Sequence, residues 1–110
     1  MEIREIQKTE TINNIVKFEL TVGNISSKTR RMAVEKTGYD FPRFYVDAEY
    51  DKDTGEIRYI DYESGEKSYS LYTRGKTGTI IPLEYNLTDA SKKEFSKIVS
   101  AYVNNHKELI

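Results

Sequence analysis

The stretch that most constrains the fold runs from Phe44 to Tyr72, where apolar and polar residues alternate between turn-like segments. Over Phe44–Tyr50, every second side chain is apolar or aromatic, a period typical of a strand with one buried face. Residues 51–55 have the Asp, Thr and Gly composition of a short hairpin loop. We therefore predict three consecutive antiparallel strands, over residues 44–50, 57–63 and 68–72.

The second of these strands has an imperfect alternation. Ile57 and Tyr59 share one face, whereas Ile60 and Tyr62 lie on the opposite face. This pattern indicates either that both faces are partly covered or that a bulge interrupts the strand.

Three further elements follow from periodicity. Residues 12–22 alternate as a half-buried strand, and residues 79–85 form another, in which Pro82 marks an edge or a bulge. The C-terminal segment predicts a long helix with an outer face of charged residues. Thr88 or Ser91 can cap this helix. Its apolar stripe comprises Phe95, Ile98, Val99, Tyr102, Val103 and His106.

Two segments are ambiguous between strand and helix. Residues 1–11 combine helical spacing of isoleucines with strand-favouring threonines, and we interpret them as an edge strand. Residues 25–39 could form a short helix, capped by Ser26 or Ser27 and ended by Gly38. Because Met32 and Val34 also alternate with polar residues, we favour a strand there.

These elements predict an α+β fold in a single domain covering residues 1–110. It would contain an antiparallel sheet of about five or six strands, with one long C-terminal helix packed on one face. A chain of 110 residues has room for one modest core.

The net charge of −1 conceals an acidic hairpin, which we define as residues 47–66. It holds eight acids and two bases, for a charge of −6, so the rest of the chain carries +5. Tyrosines accompany the acids, and tyrosine is enriched at protein interfaces. We predict a surface that binds a basic protein partner, for example a nucleic-acid-binding protein. Its residues are Asp47, Glu49, Asp51, Asp53, Glu56, Tyr59, Asp61, Tyr62 and Glu63.

The alternative site is basic and would bind nucleic acid directly. Two segments, residues 28–31 and 74–76, concentrate positive charge in predicted loops or strand ends. Phosphate contacts require such Lys and Arg side chains. The candidates are Lys28, Arg30, Arg31, Arg74 and Lys76.

The motifs that would indicate an enzyme or a metal site are incomplete. Gly75-Lys76-Thr77 resembles the end of a phosphate-binding loop, but Ser70 stands where that motif requires glycine. The calcium-like run from Asp51 is out of register, with Tyr62 at the position of the bidentate glutamate. The chain has no cysteine and a single histidine, His106. We expect no enzymatic activity, although a small enzyme of unknown reaction is a third possibility, and no metal or cofactor.

Neither a signal peptide nor an apolar run long enough for a membrane span is visible, so we expect a cytoplasmic protein without membrane contact. In its small size and cysteine-free, slightly acidic composition, the chain resembles small anti-defence inhibitors of phages and mobile elements, including anti-CRISPR proteins. No motif carries this resemblance, so it transfers no functional residue. It implies an inhibitor that blocks the nucleic-acid-binding surface of its target.

Overall fold

An antiparallel sheet with two helices on one face makes up residues 1–110, all of which the computed structural model describes. The predicted α+β class is confirmed. The helices are α1 (Ser27–Thr37) and α2 (Asp89–Asn105), and a 3₁₀ turn (Lys107–Leu109) follows. The strands are β1 (Glu2–Ile12), β2 (Ile15–Gly23), β3 (Phe44–Asp51), β4 (Ile57–Tyr59), β5 (Tyr62–Ser64), β6 (Lys67–Tyr69), β7 (Tyr72–Arg74) and β8 (Ile80–Pro82).

Strand β3 is the centre of the six-stranded sheet. One edge of β3 pairs with β2 along its whole length, from Val22 opposite Phe44 to Ile15 opposite Asp51. The other edge is shared by two strands, because β4 pairs with the end of β3 and β7 pairs at Tyr45. β1 lies outside β2, and β8 lies outside β7.

Between β4 and β7 the chain leaves this sheet and forms a separate hairpin of β5 and β6. The predictions of continuous strands over residues 57–63 and 68–72 are therefore wrong. The first strand breaks at Ile60, whose N–H still bonds the carbonyl of Asp47, and the second breaks at Ser70. The slip in alternation at Ile60 marks the point where the chain turns off the sheet.

The core lies between the sheet and the helices. Alternate side chains of β2 and β3 enter it, together with residues of both helices. The buried strand residues include Val16, Phe18, Leu20, Val22, Phe44, Val46 and Ala48. Burial of apolar area on this face is the main force that holds the two layers together.

Within residues 25–39, Ser27–Thr37 form helix α1, so the favoured strand interpretation was wrong. The side chain of Ser26 accepts the N–H of Thr29 at 3.3 Å, and Gly38 ends the helix at φ +76°. Both are typical capping interactions. The buried residues are Thr29, Ala33 and Thr37, spaced four apart. Their small size lets the helix approach the sheet, and two of them are polar, which hid the helical period.

Helix α2 lies where the C-terminal stripe predicted it. Thr88 caps it by accepting the N–H of Ser91 at 3.1 Å. Phe95, Val99 and Val103 are buried in the core. Ile98 is 36% exposed, so its assignment to the buried stripe was wrong.

The two outer strands agree with the predicted edges. β1 pairs only with β2 and has two register shifts, which interrupt its free edge. β8 is shorter than predicted and includes Pro82. No helix in the structure is both long enough and apolar enough to span a membrane.

Candidate functional site

The acids of the predicted partner-binding surface form two groups. Asp47 and Glu49 lie on the open face of the sheet, opposite the helices, because they alternate with buried Val46 and Ala48. The others occupy the turns and the β5–β6 region that follows. These are Asp51, Asp53, Glu56, Asp61 and Glu63.

Asp47 is the centre of a hydrogen-bond network on the open face. Its two carboxylate oxygens accept the hydroxyls of Tyr72, at 2.7 Å, and of Tyr62. The Tyr72 hydroxyl also lies 3.4 Å from Glu19, which forms an ion pair with Arg74 at 3.0 Å. The carboxylate of Asp47 is therefore already occupied by donors of its own chain.

Burial, followed by the hydrogen bond to Asp47, raises the pKa of both Tyr62 and Tyr72 well above the ordinary tyrosine value. Tyr72 has no exposed surface and packs edge-on against Tyr62, with ring centroids 5.1 Å apart. The hydrogen bond to Glu19 is the main cause of the raised pKa of Arg74. Each of these shifts stabilises the network in its present protonation state.

Four other predicted acids also have partners within the chain, and one of them, Asp53, accepts the side-chain amide of Asn14 at 2.8 Å. Glu49 lies 3.7 Å from Arg58 and 4.0 Å from Lys17. Asp51 accepts the N–H groups of Asp53 and Thr54 and the amide of Asn14, which is ordinary turn chemistry. The bond from Asp53 is the first cause of the lowered pKa of Asp51. Asp61 accepts the hydroxyl of Ser70 at 2.6 Å.

The sequence suggested an exposed face of tyrosines, but the structure buries or half-buries them. Tyr69, at the end of β6, is buried, and so is Tyr72 of β7, whose ring packs against Tyr62. Tyr59 is half-buried, and its hydroxyl bonds the carbonyl of Lys92 and lies 2.9 Å from the Ser96 hydroxyl on α2. Glu56 and Glu63 are the two predicted acids that are exposed and have no side-chain partner.

The predicted basic residues separate into three places. Arg74 and Lys76 line one groove, and Arg30 lines a neighbouring cleft. The groove and the cleft share Pro42 and Arg43, so they adjoin. Lys28 and Arg31 lie elsewhere on α1, beside Met32 and Glu35.

The groove, which we call the basic aromatic groove, has a volume of about 450 Å³. No acidic side chain lines it. Phe41 is 89% exposed and Tyr39 is 40% exposed. Its principal lining residues are Tyr39, Phe41, Arg43, Tyr45, Arg74 and Lys76.

The three cations of the groove differ in whether a carboxylate of the chain is paired with them. The guanidinium of Arg74 lies over the rings of Tyr45 and Tyr72, at 5.7 and 5.5 Å, besides its ion pair with Glu19. Lys76 reaches the end of α1, close to Gly38, where helix carbonyls favour a cation. Neither Arg43 nor Lys76 has a carboxylate within 4.0 Å. These two positive charges therefore remain free for a ligand.

Sequence reasoning missed Tyr39, Phe41 and Arg43 as site residues. They belong to the connection between α1 and β3, which contains no motif. The available signal was their composition: two aromatic residues, one proline and one arginine within five positions. The Thr73 hydroxyl bonds the carbonyl of Arg43 at 2.6 Å and so fixes this connection to β7.

His106, the single histidine, stacks on Tyr102 with ring centroids 4.0 Å apart, and its Nδ1 lies 2.8 Å from the Tyr102 carbonyl. No nucleophile accompanies it among its hydrogen-bond partners. No group of three or more His, Cys, Asp or Glu residues is arranged to hold a metal ion. Comparisons with protein-family models, with curated proteins and with solved structures found no match to this chain.

Proposed function

We propose that the protein is a non-enzymatic binding module that takes single-stranded nucleic acid in the basic aromatic groove. The observation that supports this most is the pairing of free cations with an exposed ring. Arg43 and Lys76 are unpaired, and Phe41 is 89% exposed between them and Tyr39. Positive grooves with aromatic side chains on which bases stack are the usual solution for single strands.

The pattern of charge pairing favours this surface over the acidic hairpin. The acids nearest the aromatic residues of the hairpin accept hydrogen bonds or ion pairs from their own chain. Binding a partner there would require those bonds to break. At the groove, a phosphate would gain Arg43 and Lys76 without displacing any ion pair.

The aromatic residues of the groove also have the neighbours that nucleic acid requires. Tyr45 lies beside Arg74, and Phe41 precedes Pro42 and Arg43. Pro42 is buried and restricts the backbone of Phe41, so the exposed ring extends from a fixed point of the chain at the groove. A fixed backbone lowers the entropy lost when a base stacks on that ring.

Fluorescence anisotropy with a labelled oligothymidylate of about 12 nucleotides tests the proposal. We expect Phe41→Ala and Lys76→Gln each to weaken binding about tenfold, the effect of one stacked base or one charge-assisted hydrogen bond. Affinity should fall steeply between about 50 and 200 mM salt, since the strand releases counterions. Lys28→Gln, which removes the same charge outside the groove, should leave affinity unchanged. Equal affinities for Lys28→Gln and Lys76→Gln would refute the proposal.

A second candidate function keeps the acidic hairpin as the binding surface. Glu56 and Glu63 are exposed, have no side-chain partner and carry charge that a basic protein could approach. An inhibitor of the anti-CRISPR kind, which covers a nucleic-acid-binding surface, is one form of this proposal. Its test is Glu56→Lys with Glu63→Lys, since reversal of Asp47 would disturb the internal network and Glu49 is already paired with Arg58 and Lys17. Loss of a captured basic protein partner in this variant, but not in Lys76→Gln, would favour the acidic surface.

A further inference from the structure

A second cleft adjoins the basic aromatic groove. It has a volume of about 190 Å³ and lies where β1, β2, α1 and the start of β3 meet. Its lining has a net charge of +2, from three arginines and one acid: Arg4, Arg30, Arg43 and Glu5. Clefts for drug-sized ligands have volumes of about 300–1,000 Å³, so this one suits a small group.

Arg4 occupies the cleft because residue 23 is a glycine. A Cβ at Gly23 would lie 2.0 Å from Nε and 2.2 Å from Cζ of Arg4. Gly23 is buried, and its φ is not positive, so the backbone itself does not demand glycine there. The missing side chain instead lets the guanidinium lie flat on the strand. Arg4 approaches Glu2 only at 3.8 Å, and both side chains are mostly exposed, so this ion pair is weak.

The other two arginines are positioned without carboxylates. The guanidinium of Arg30 lies over the Phe44 ring, 5.5 Å from its centroid. Arg43 is fixed through its carbonyl, which accepts the Thr73 hydroxyl. Neither has a carboxylate within 4.0 Å. Packing against glycine and phenylalanine thus directs guanidinium groups toward the cleft and leaves their donors unpaired.

We propose that this cleft is a phosphate-binding site formed by Arg4, Arg30 and Arg43. The planar fork of arginine matches two phosphate oxygens at once, which a lysine ammonium cannot do. A phosphate group is also small enough for the cleft. This site is additional to the proposed nucleic-acid site in the groove, because it would bind a phosphate group whether or not a base is stacked on Phe41.

The first experiment titrates the full chain with inorganic phosphate, at ionic strength kept constant with chloride, and follows backbone amide shifts by NMR. We expect saturable shifts at Gly23, Arg30 and Phe44. Arg30→Gln should weaken phosphate binding about tenfold, as loss of a charged hydrogen-bond donor does. Arg31→Gln, on the same helix but outside the cleft, should bind phosphate as the unmodified chain does.

Gly23→Ala is the sharper variant, because it retains every arginine and only displaces the Arg4 guanidinium. We expect this variant to keep its fold and a cooperative unfolding transition, because the clash is with a flexible side chain. Its phosphate affinity should nevertheless fall as much as that of Arg4→Gln. Shifts no larger than those caused by chloride would overturn the phosphate site. Equal phosphate affinity in Arg30→Gln, Gly23→Ala and the unmodified chain would overturn it as well.

A second arm identifies the source of the phosphate. Oligothymidylates with and without a 5′-phosphate are compared for their ability to displace inorganic phosphate from Gly23 and Arg30. Displacement by either strand assigns the site to nucleic acid, and tighter binding of the phosphorylated strand assigns it to a strand end. Saturable phosphate binding with no displacement supports the cleft as a site for small phosphate compounds, and strand binding in the groove is then decided by the anisotropy measurement with Lys76→Gln alone.

Discussion

At the residue scale, Asp47 organises the hydrogen bonds on the open face of the sheet. A carboxylate with two tyrosine hydroxyls as donors is a well-satisfied acceptor, and Tyr72 is buried completely. Removing one donor would leave the carboxylate under-bonded in a partly dry setting, which costs about 1–3 kcal/mol. The Asp47 carboxylate therefore holds β5 against β3 through the Tyr62 hydroxyl.

The raised pKa of Tyr72 predicts instability in alkali. An unfolded tyrosine ionises near pH 10, whereas the folded one keeps its proton to higher pH. The unfolded state thus loses protons first, and the free energy of unfolding falls as the pH rises above about 10. Below that pH the contribution is fully present.

Tyr72→Phe tests this coupling by denaturant unfolding at a series of pH values. We expect it to be about 1–2 kcal/mol less stable than the unmodified chain at neutral pH, through the lost hydrogen bond. It should also lose less of its remaining stability between about pH 9 and 11, although Tyr62 preserves part of the dependence. Tyr39→Phe, whose hydroxyl has no partner, is the control. The same pH slope in both variants would contradict the assignment to Tyr72.

At the scale of elements, the predictable ones were those whose buried side chains are large and apolar. Strands β2 and β3 and helix α2 fit this description, and their periods were visible directly. Helix α1 was missed because Thr29 and Thr37 bury polar, small side chains, while half-exposed Met32 and Val34 imitate a strand period. Its caps, Ser26 and Gly38, were the more reliable signal.

The candidate groove was less predictable than the elements. Its cations come from residues 43 and 74–76, which pairing between β3 and β7 brings together. β3 and β7 pair at one position, Tyr45 opposite Tyr72, and this register determines which side chains of the two strands lie close together. The sequence showed the charges of Arg30, Arg74 and Lys76, but it could not show which of them share a surface.

Helix α2 should be the main source of stability in the helical layer. We expect Phe95→Ala to lower the free energy of unfolding by about 3 kcal/mol, as loss of a buried aromatic side chain does. Ile98→Ala, at a position 36% exposed, should cost much less, and the exposed Lys97→Ala close to nothing. Chemical denaturation of the three variants measures these differences. A cost at Ile98 equal to that at Phe95 would mean that the buried face of α2 is assigned incorrectly.

At the scale of the whole molecule, the uneven charge of the sequence becomes a charge difference between the two ends of β3. Arg43 and the groove lie at its start, while Asp51, Asp53 and Glu56 follow its end. An eight-residue strand spans about 25 Å, which exceeds the screening length at physiological salt. A charged partner would therefore experience the field of one end of β3 at a time.

The central place of β3 has a kinetic consequence. Pairing of β3 with β2 closes a loop that contains α1, and pairing of β3 with β7 closes a loop that contains the β5–β6 hairpin. Both loop closures cost conformational entropy before any contact forms. β8 pairs only with the outer edge of β7, so that pairing can form afterwards. Folding should therefore be limited by the arrival of β3 between its neighbours.

Stopped-flow folding of two variants, each with one apolar side chain shortened, would measure this order of events. Val46→Ala in β3 should slow folding, whereas Ile81→Ala in β8 should chiefly accelerate unfolding. Should Ile81→Ala slow folding as strongly as Val46→Ala, β8 would already be in place in the transition state. The opposite result would mean that the folding rate of this chain is set by the pairing of β3 with β2 on one edge and with β7 on the other.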